Sequence, residues 1–160
     1  MIPTMQPEHI KFIASPGHLQ AIGLVTTCWS KFEWLVEELI WRLARIENGL
    51  VGHVLTAELG IQTRLNVLLS LADITIRDSE QETRLRTIQK RVVSGYMGKP
   101  SIASERNRIV HAYWSASDDK LAFASNVKAK GRLSFDIKNM KVTDLNNTAQ
   151  RIFSVAIELD

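Results

Sequence analysis

Between His18 and Ile46 the residues Val25, Trp29, Phe32, Val36, Leu39, Leu43 and Ile46 recur at alternating spacings of four and three. Only an amphipathic helix places that period on one face. A helix of this length with one apolar stripe must cover it with other elements, because tertiary packing rather than intrinsic propensity supplies most helical stability. Trp34 and Trp41, seven apart, widen the stripe and predict that the helix meets more than one neighbour. Glu38 and Arg42 form an i,i+4 pair on the polar side.

Further helices follow. One fits about 54–74, with Ile61, Leu65, Leu68 and Ala72 inward. Another fits 80 to about 94, with Leu85, Ile88 and Val92 inward, Ser79 as its cap and Glu82 at the capping-box position. The run Ser94-Gly-Tyr-Met-Gly-Lys-Pro100 breaks that helix, and a shorter one opens near Ser101. The period then changes. Ala112–Ala116, Leu121–Ser125 and Arg132–Ile137 are short runs separated by turn signals at 117–119 and Gly131, the pattern of a small antiparallel meander. Thr143 precedes a last stripe, Leu145, Ala149, Ile152, Ala156 and Leu159. The expected class is mainly α: a four- to five-helix up-and-down bundle with a β insert, 112–142, before the last helix.

At 160 residues, with 45% hydrophobic and 23% charged side chains, the chain reads as a single domain over 1–160. Residues 1–17, which hold three of the four prolines, form an irregular lead-in. That balance excludes a disordered tail and a collagen-like repeat. The one cysteine, Cys28, excludes an internal disulfide framework and reads as a buried small hydrophobe. The first residues lack the charged and apolar regions of a signal peptide, and no apolar run reaches the roughly 18 residues of a membrane span. A cytoplasmic protein with no membrane partner is therefore expected. His9, His18 and His53 are scattered and read as solvated or capping groups. No histidine or cysteine spacing suits a metal, and no glycine-rich loop or nucleophile motif suggests a cofactor.

One segment carries chemistry: Arg106-Asn-Arg-Ile-Val-His111, followed by Ala112 and Tyr113. Asn107 and His111 are i,i+4 neighbours on a helix, and Arg108 and His111 are i,i+3. Arg106 lies about 140° from His111 around an ideal helix, so it must reach round or the helix end must be distorted. Histidine titrates near neutrality and can move a proton to or from a hydroxyl. Arginine stabilises charge developing on phosphoryl oxygens, and asparagine can orient an imidazole. RNA carries its own nucleophile in the 2′-hydroxyl, so a proton shuttle and an anion clamp suffice to cleave it. The same residues also suit a structural cluster capping a helix end.

The segment resembles the signature of the HEPN superfamily, an Arg-(four to six residues)-His motif whose commonest form begins Arg-Asn. The layout is similar too: a long tryptophan-rich first helix, two further helices, the motif late in a following helix, then a closing helix. The resemblance covers about 18–112 and 143–160; the β insert and the lead-in lie outside it. It implies a helical bundle that dimerises so that two motifs form one composite site. It also implies a metal-independent endoribonuclease of the kind found in toxin–antitoxin pairs, abortive-infection systems and RNA-targeting CRISPR effectors, with an antitoxin or defence-system partner. Arg106 and His111 take the catalytic positions and Asn107 the polar position beside them. His111-Ala-Tyr113 matches the His-x-Tyr extension of toxins paired with a nucleotidyltransferase antitoxin, in which the tyrosine is modified; Tyr113 also suits an aromatic core position. Some HEPN domains instead bind a nucleotide, RNA or a partner protein without catalysis, which is the alternative reading.

Charge placement agrees with an RNA partner. The net charge is only +3, but residues 1–60 hold four basic and six acidic side chains, whereas 84–108 hold seven basic ones against Glu105 alone. Arg84, Arg91 and Arg108, with Lys128 and Lys130 further on, are the candidate phosphate contacts. A solvated charged face is the plainer reading of the same residues. Trp114 and Tyr113 are candidates for stacking on bases.

Overall fold

The computed structural model describes residues 14–116, 122–129 and 133–160. Helix α1 is Pro16–Leu43, α2 Gly49–Thr56, α3 Ile61–Thr75, α4 Ser79–Gln89, continued by a π-helical turn Lys90–Ser94, and α5 Ile102–Val110. Strands β1 Tyr113–Ala116, β2 Ala122–Ala129 and β3 Leu133–Met140 precede α6, Val142–Leu159. The class is the expected one, mainly helical with a three-stranded antiparallel sheet before the last helix.

The periodicity of α1 is realised through Val25, Trp29, Phe32 and Val36, all buried. Its end is not where the stripe suggests. The helix stops at Leu43, Arg45 turns left-handed at φ 56°, and Ile46 N–H donates to Trp41 O (2.8 Å) while Arg45 N–H donates to Arg42 O (3.1 Å). That bond pair is a Schellman stop, and it leaves Ile46 outside the helix. The helix expected over 54–74 is Ile61–Thr75, preceded by the separate α2, whose cap is the Asn48 side chain accepting from Leu50 N–H. Two caps also differ from expectation. Asp78, not Ser79, caps α4 by accepting from Glu80 N–H. At α6 it is Asp144 that reaches back to accept from Lys141 N–H, a capping-box half in which Thr143 takes no part.

The chain divides into two compact units. Of the described residues, one holds those from 14 to 27 and from Ser104 to Arg151: the start of α1, most of α5, the sheet and the first part of α6. Its buried side chains include Val25, Ile109, Ala122, Ala124, Met140, Leu145 and Ala149. His18, expected as a solvated or capping group, is fully buried here. Its Nε2–H donates to Met140 O (3.1 Å), which can only accept, and its Nδ1 shares a hydrogen bond with the Ser15 hydroxyl (2.7 Å). The second unit holds Cys28–Ala103 and Ile152–Asp160, with Phe32, Val36, Leu65, Leu68, Ile88, Val92 and Ile152 among its buried residues. In it Trp41 lies over Gly52 of α2 and meets His53 edge-on at 4.6 Å, the second neighbour expected of the tryptophans. Trp34 instead stays 43% exposed under the Lys31 ammonium. Cys28 is half-buried, and burial pushes its thiol above the ordinary value. No helix among the described residues is long and apolar enough to cross a membrane.

Candidate active site at the end of α5

Helix α5 is short because its sequence gives it little to extend on: it follows the Gly95–Pro100 break and runs into the β-forming residues Tyr113 and Trp114. The break is a tight reversal. Tyr96 and Lys99 exchange backbone bonds (3.1 and 3.0 Å) across Met97 and Gly98, both at positive φ, the two-residue hairpin geometry that favours glycine.

The last turn of α5 is held from the sheet. Trp114 Nε1–H donates to Ile109 O (2.9 Å), and Asn126 Nδ2–H donates to Arg108 O (3.3 Å). The Arg108 guanidinium pairs with Asp136 at 3.1 Å. Residues from β1, β2 and β3 thus each take hold of the end of the helix, two of them capturing carbonyls that a helix C-terminus leaves open. The last helical bond, His111 N–H to Asn107 O (3.0 Å), places the imidazole one residue beyond the helix.

There the Arg106 Nη1–H donates to Asn107 Oδ1 (2.9 Å). His111 and Asn107 are exposed, and Arg106 is half-buried. Upstream, Glu105 is ion-paired with Arg151 of α6, so the residue before Arg106 is anchored. The motif therefore presents a half-buried arginine beside an anchored glutamate, an asparagine hydrogen-bonded to that arginine and a solvent-facing histidine within one helix end. Tyr113 is 78% exposed, which removes the core alternative for it. Trp114 is half-buried, with its N–H engaged as above.

The other candidate cations fall in different settings. Arg84 is exposed and lines a cavity of about 260 Å³ floored by Leu39, Leu68, Leu85 and Leu159. Arg91 is bound through Nη1 to both oxygens of Glu158 (2.6 and 2.7 Å), so its charge is neutralised locally. Burial pushes the Glu158 carboxyl up, but hydrogen bonds from Arg91 and Ser154 and the charges of Arg91 and Arg84 outweigh it and leave it below its ordinary value. Arg84 and Arg91 belong to the second unit, Arg106 and Arg108 to the first. Lys128 lies on β2 opposite Ser134 in register; Lys130 and His9 lie outside the described residues.

Sequence reasoning missed a larger cavity of about 590 Å³ in the first unit, where Gln20, Leu24, Asn146 and Gln150 line facing surfaces of α1 and α6. Its signal is one i,i+4 pair of carboxamides, Asn146 and Gln150, facing Gln20 on another helix, too common a pattern to single out in advance. Among the described residues no cluster of three His, Cys, Asp or Glu side chains could hold a metal ion. No family model matches the chain, and neither a curated protein nor a solved structure does.

Proposed function

We propose that this chain is a HEPN-like endoribonuclease that cleaves RNA without a metal, acting as a homodimer in which two motifs form one site. The observation that carries the reading is the end of α5: solvent-facing His111 sits one residue past a helix whose last turn bears the Arg106–Asn107 hydrogen bond. In this reaction the imidazole takes the proton of a 2′-hydroxyl as that oxygen bonds to phosphorus. The bond to O5′ breaks, and the 5′-oxygen takes up a proton. The products are a 2′,3′-cyclic phosphate and a 5′-hydroxyl end. Arg106 stabilises the charge that accumulates on the phosphoryl oxygens in between, and Asn107 holds the guanidinium in place. Arg84, Arg108, Lys128 and Lys130 are the phosphate contacts of this reading, in a bacterial defence or growth-control setting with an antitoxin or similar partner. Exposed Tyr113 supports its role as a modification target.

The test is cleavage of single-stranded RNA in EDTA by the wild type beside His111→Ala and Arg106→Ala. Loss of cleavage by a factor of about 10² or more in each variant supports the assignment. Cleavage that survives both changes, or RNA bound and never cut, sinks it; the second outcome is that of a binding module.

A further inference from the structure

The sheet ends on an open edge. In the order β1-β2-β3, the outer side of β3 carries no strand among the described residues. Around residue 138 both faces are uncovered: Ile137 (62% exposed) and Asn139 point one way and Lys138 the other, and all three are exposed, whereas Met140 at the end of the strand is buried and its carbonyl accepts from His18. A strand edge of this kind offers unpaired backbone groups to another strand.

Its sequence says which strand fits. Asp136 and Lys138 flank Ile137 symmetrically and share the opposite face from it. When two copies of β3 pair antiparallel about a two-fold axis at Ile137, Ile137 meets Ile137, and Asp136 of each copy faces Lys138 of the other. Centring the axis on residue 136 sets Asp136 against Asp136, and centring it on 138 sets Lys138 against Lys138. Cross-strand pairs of opposite charge stabilise a sheet and like pairs destabilise it, so the charges select one register. We infer that β3 is a homodimer contact, joining two three-stranded sheets into one of six strands about Ile137, the occupant of the edge being a second copy of this chain.

The contact bears on the site because Asp136 also pairs with Arg108 (3.1 Å), at the end of the motif helix. The axis lies one residue from Asp136. Its two-fold, perpendicular to the sheet, sets both Arg108 side chains on the same face, one on each side of it. The inference goes beyond the ribonuclease reading, and rests on it only where it assigns this interface to bringing the two motifs together.

The test uses the full chain. Light scattering over a concentration series measures self-association of the wild type and of Lys138→Glu. That substitution creates two like-charge pairs per dimer and should weaken the dimer about tenfold or more. In a Cys28→Ser background, Ile137→Cys should form a disulfide-linked dimer on mild oxidation, since directly opposed Cα atoms are about 4.5–5.5 Å apart. Asn139→Cys, on the same face but with its copies roughly 13 Å apart along the strands, should not. A monomeric wild type, a dimer indifferent to Lys138→Glu, or equal crosslinking at 137 and 139 overturns the interface. RNA cleavage is read separately. A dimer with these properties that never cuts RNA keeps the interface and sinks the ribonuclease, whereas cleavage by a strictly monomeric wild type overturns the interface and the composite site and keeps only the cleavage chemistry.

Discussion

Replacing Trp114 by Phe removes one atom group with a defined task. The indole Nε1–H donates to Ile109 O at 2.9 Å, in the last turn of α5 and two residues before His111. Phenylalanine keeps much of the ring in the half-buried space between helix and sheet but leaves that carbonyl without its donor. An intramolecular hydrogen bond contributes about 0.5–1.5 kcal/mol net, and orphaning a buried acceptor costs about 1–3 kcal/mol. Trp114 is only half-buried, so water replaces part of the lost bond and the expected destabilisation is about 1–2 kcal/mol. The local consequence is larger than the global one, because the freed carbonyl lets the final turn fray at the residues that position His111. Urea unfolding should show a lower midpoint at unchanged m-value. Hydrogen exchange should speed up at the amides of 109–111, and RNA cleavage should fall with them. If Trp114→Phe unfolds like the wild type and protects those amides equally well, the sheet does not hold the end of α5 and the account of the site is wrong.

Two further outcomes follow, one from packing and one from charge. A Cβ built on Gly52 would lie 2.6–2.8 Å from three atoms of the Trp41 ring, so Gly52→Ala should destabilise by about 1 kcal/mol, although glycine-to-alanine in a helix normally gains about that much. Gly23→Ala in α1, where the added methyl meets nothing within 4 Å, should show the normal gain; the same sign for both in urea unfolding would refute the close-packing argument. The Glu158 carboxyl sits below its ordinary value of 4.5. Its contribution to stability is therefore complete above that pH and fades as pH falls through the depressed value. Arg91→Ala should cost about 1 kcal/mol near neutrality. That gap to the wild type should close in acid unfolding titrations below the glutamate range, and a gap that persists there would show Arg91 acting through packing alone.

The helical content was legible because burial imposes its period on the residues that carry it. Leu145, Ala149, Ile152, Ala156 and Leu159 are all buried, as their spacing requires. Where the sequence misled, backbone groups rather than side-chain periods decided. Nothing in the apolar stripe of α1 reports that Arg45 will turn left-handed. Ser79 and Thr143 look like caps by type, whereas neighbouring aspartates supply the bonds. At the site, Asn107 and His111 were legible as an i,i+4 pair with Arg106 five positions before the histidine, and the structure adds what no spacing contains: Arg106 to Asn107, Trp114 to Ile109 and Arg108 to Asp136. The last of these spans 28 positions of sequence through three strands, beyond the reach of any local rule. Arg91 was legible as a cation but not as the partner of Glu158, 67 residues away, for the same reason.

The β insert then ceases to be an appendage to a helical fold. A nine-residue helix is shorter than the length at which helices hold together by themselves, and α5 must nonetheless fix three polar side chains against solvent. Each strand supplies one polar tie to its final turn: Trp114 from β1, Asn126 from β2 and Asp136 from β3. The register that aligns Asn126 with Asp136 brings two of those ties side by side at Arg108. A one-residue slip between β2 and β3 would turn Asp136 to the opposite face and release the arginine. Sheet register and motif geometry are in that sense one property, and changes that loosen the pairing of 126 with 136 should act on the motif before they act on global stability.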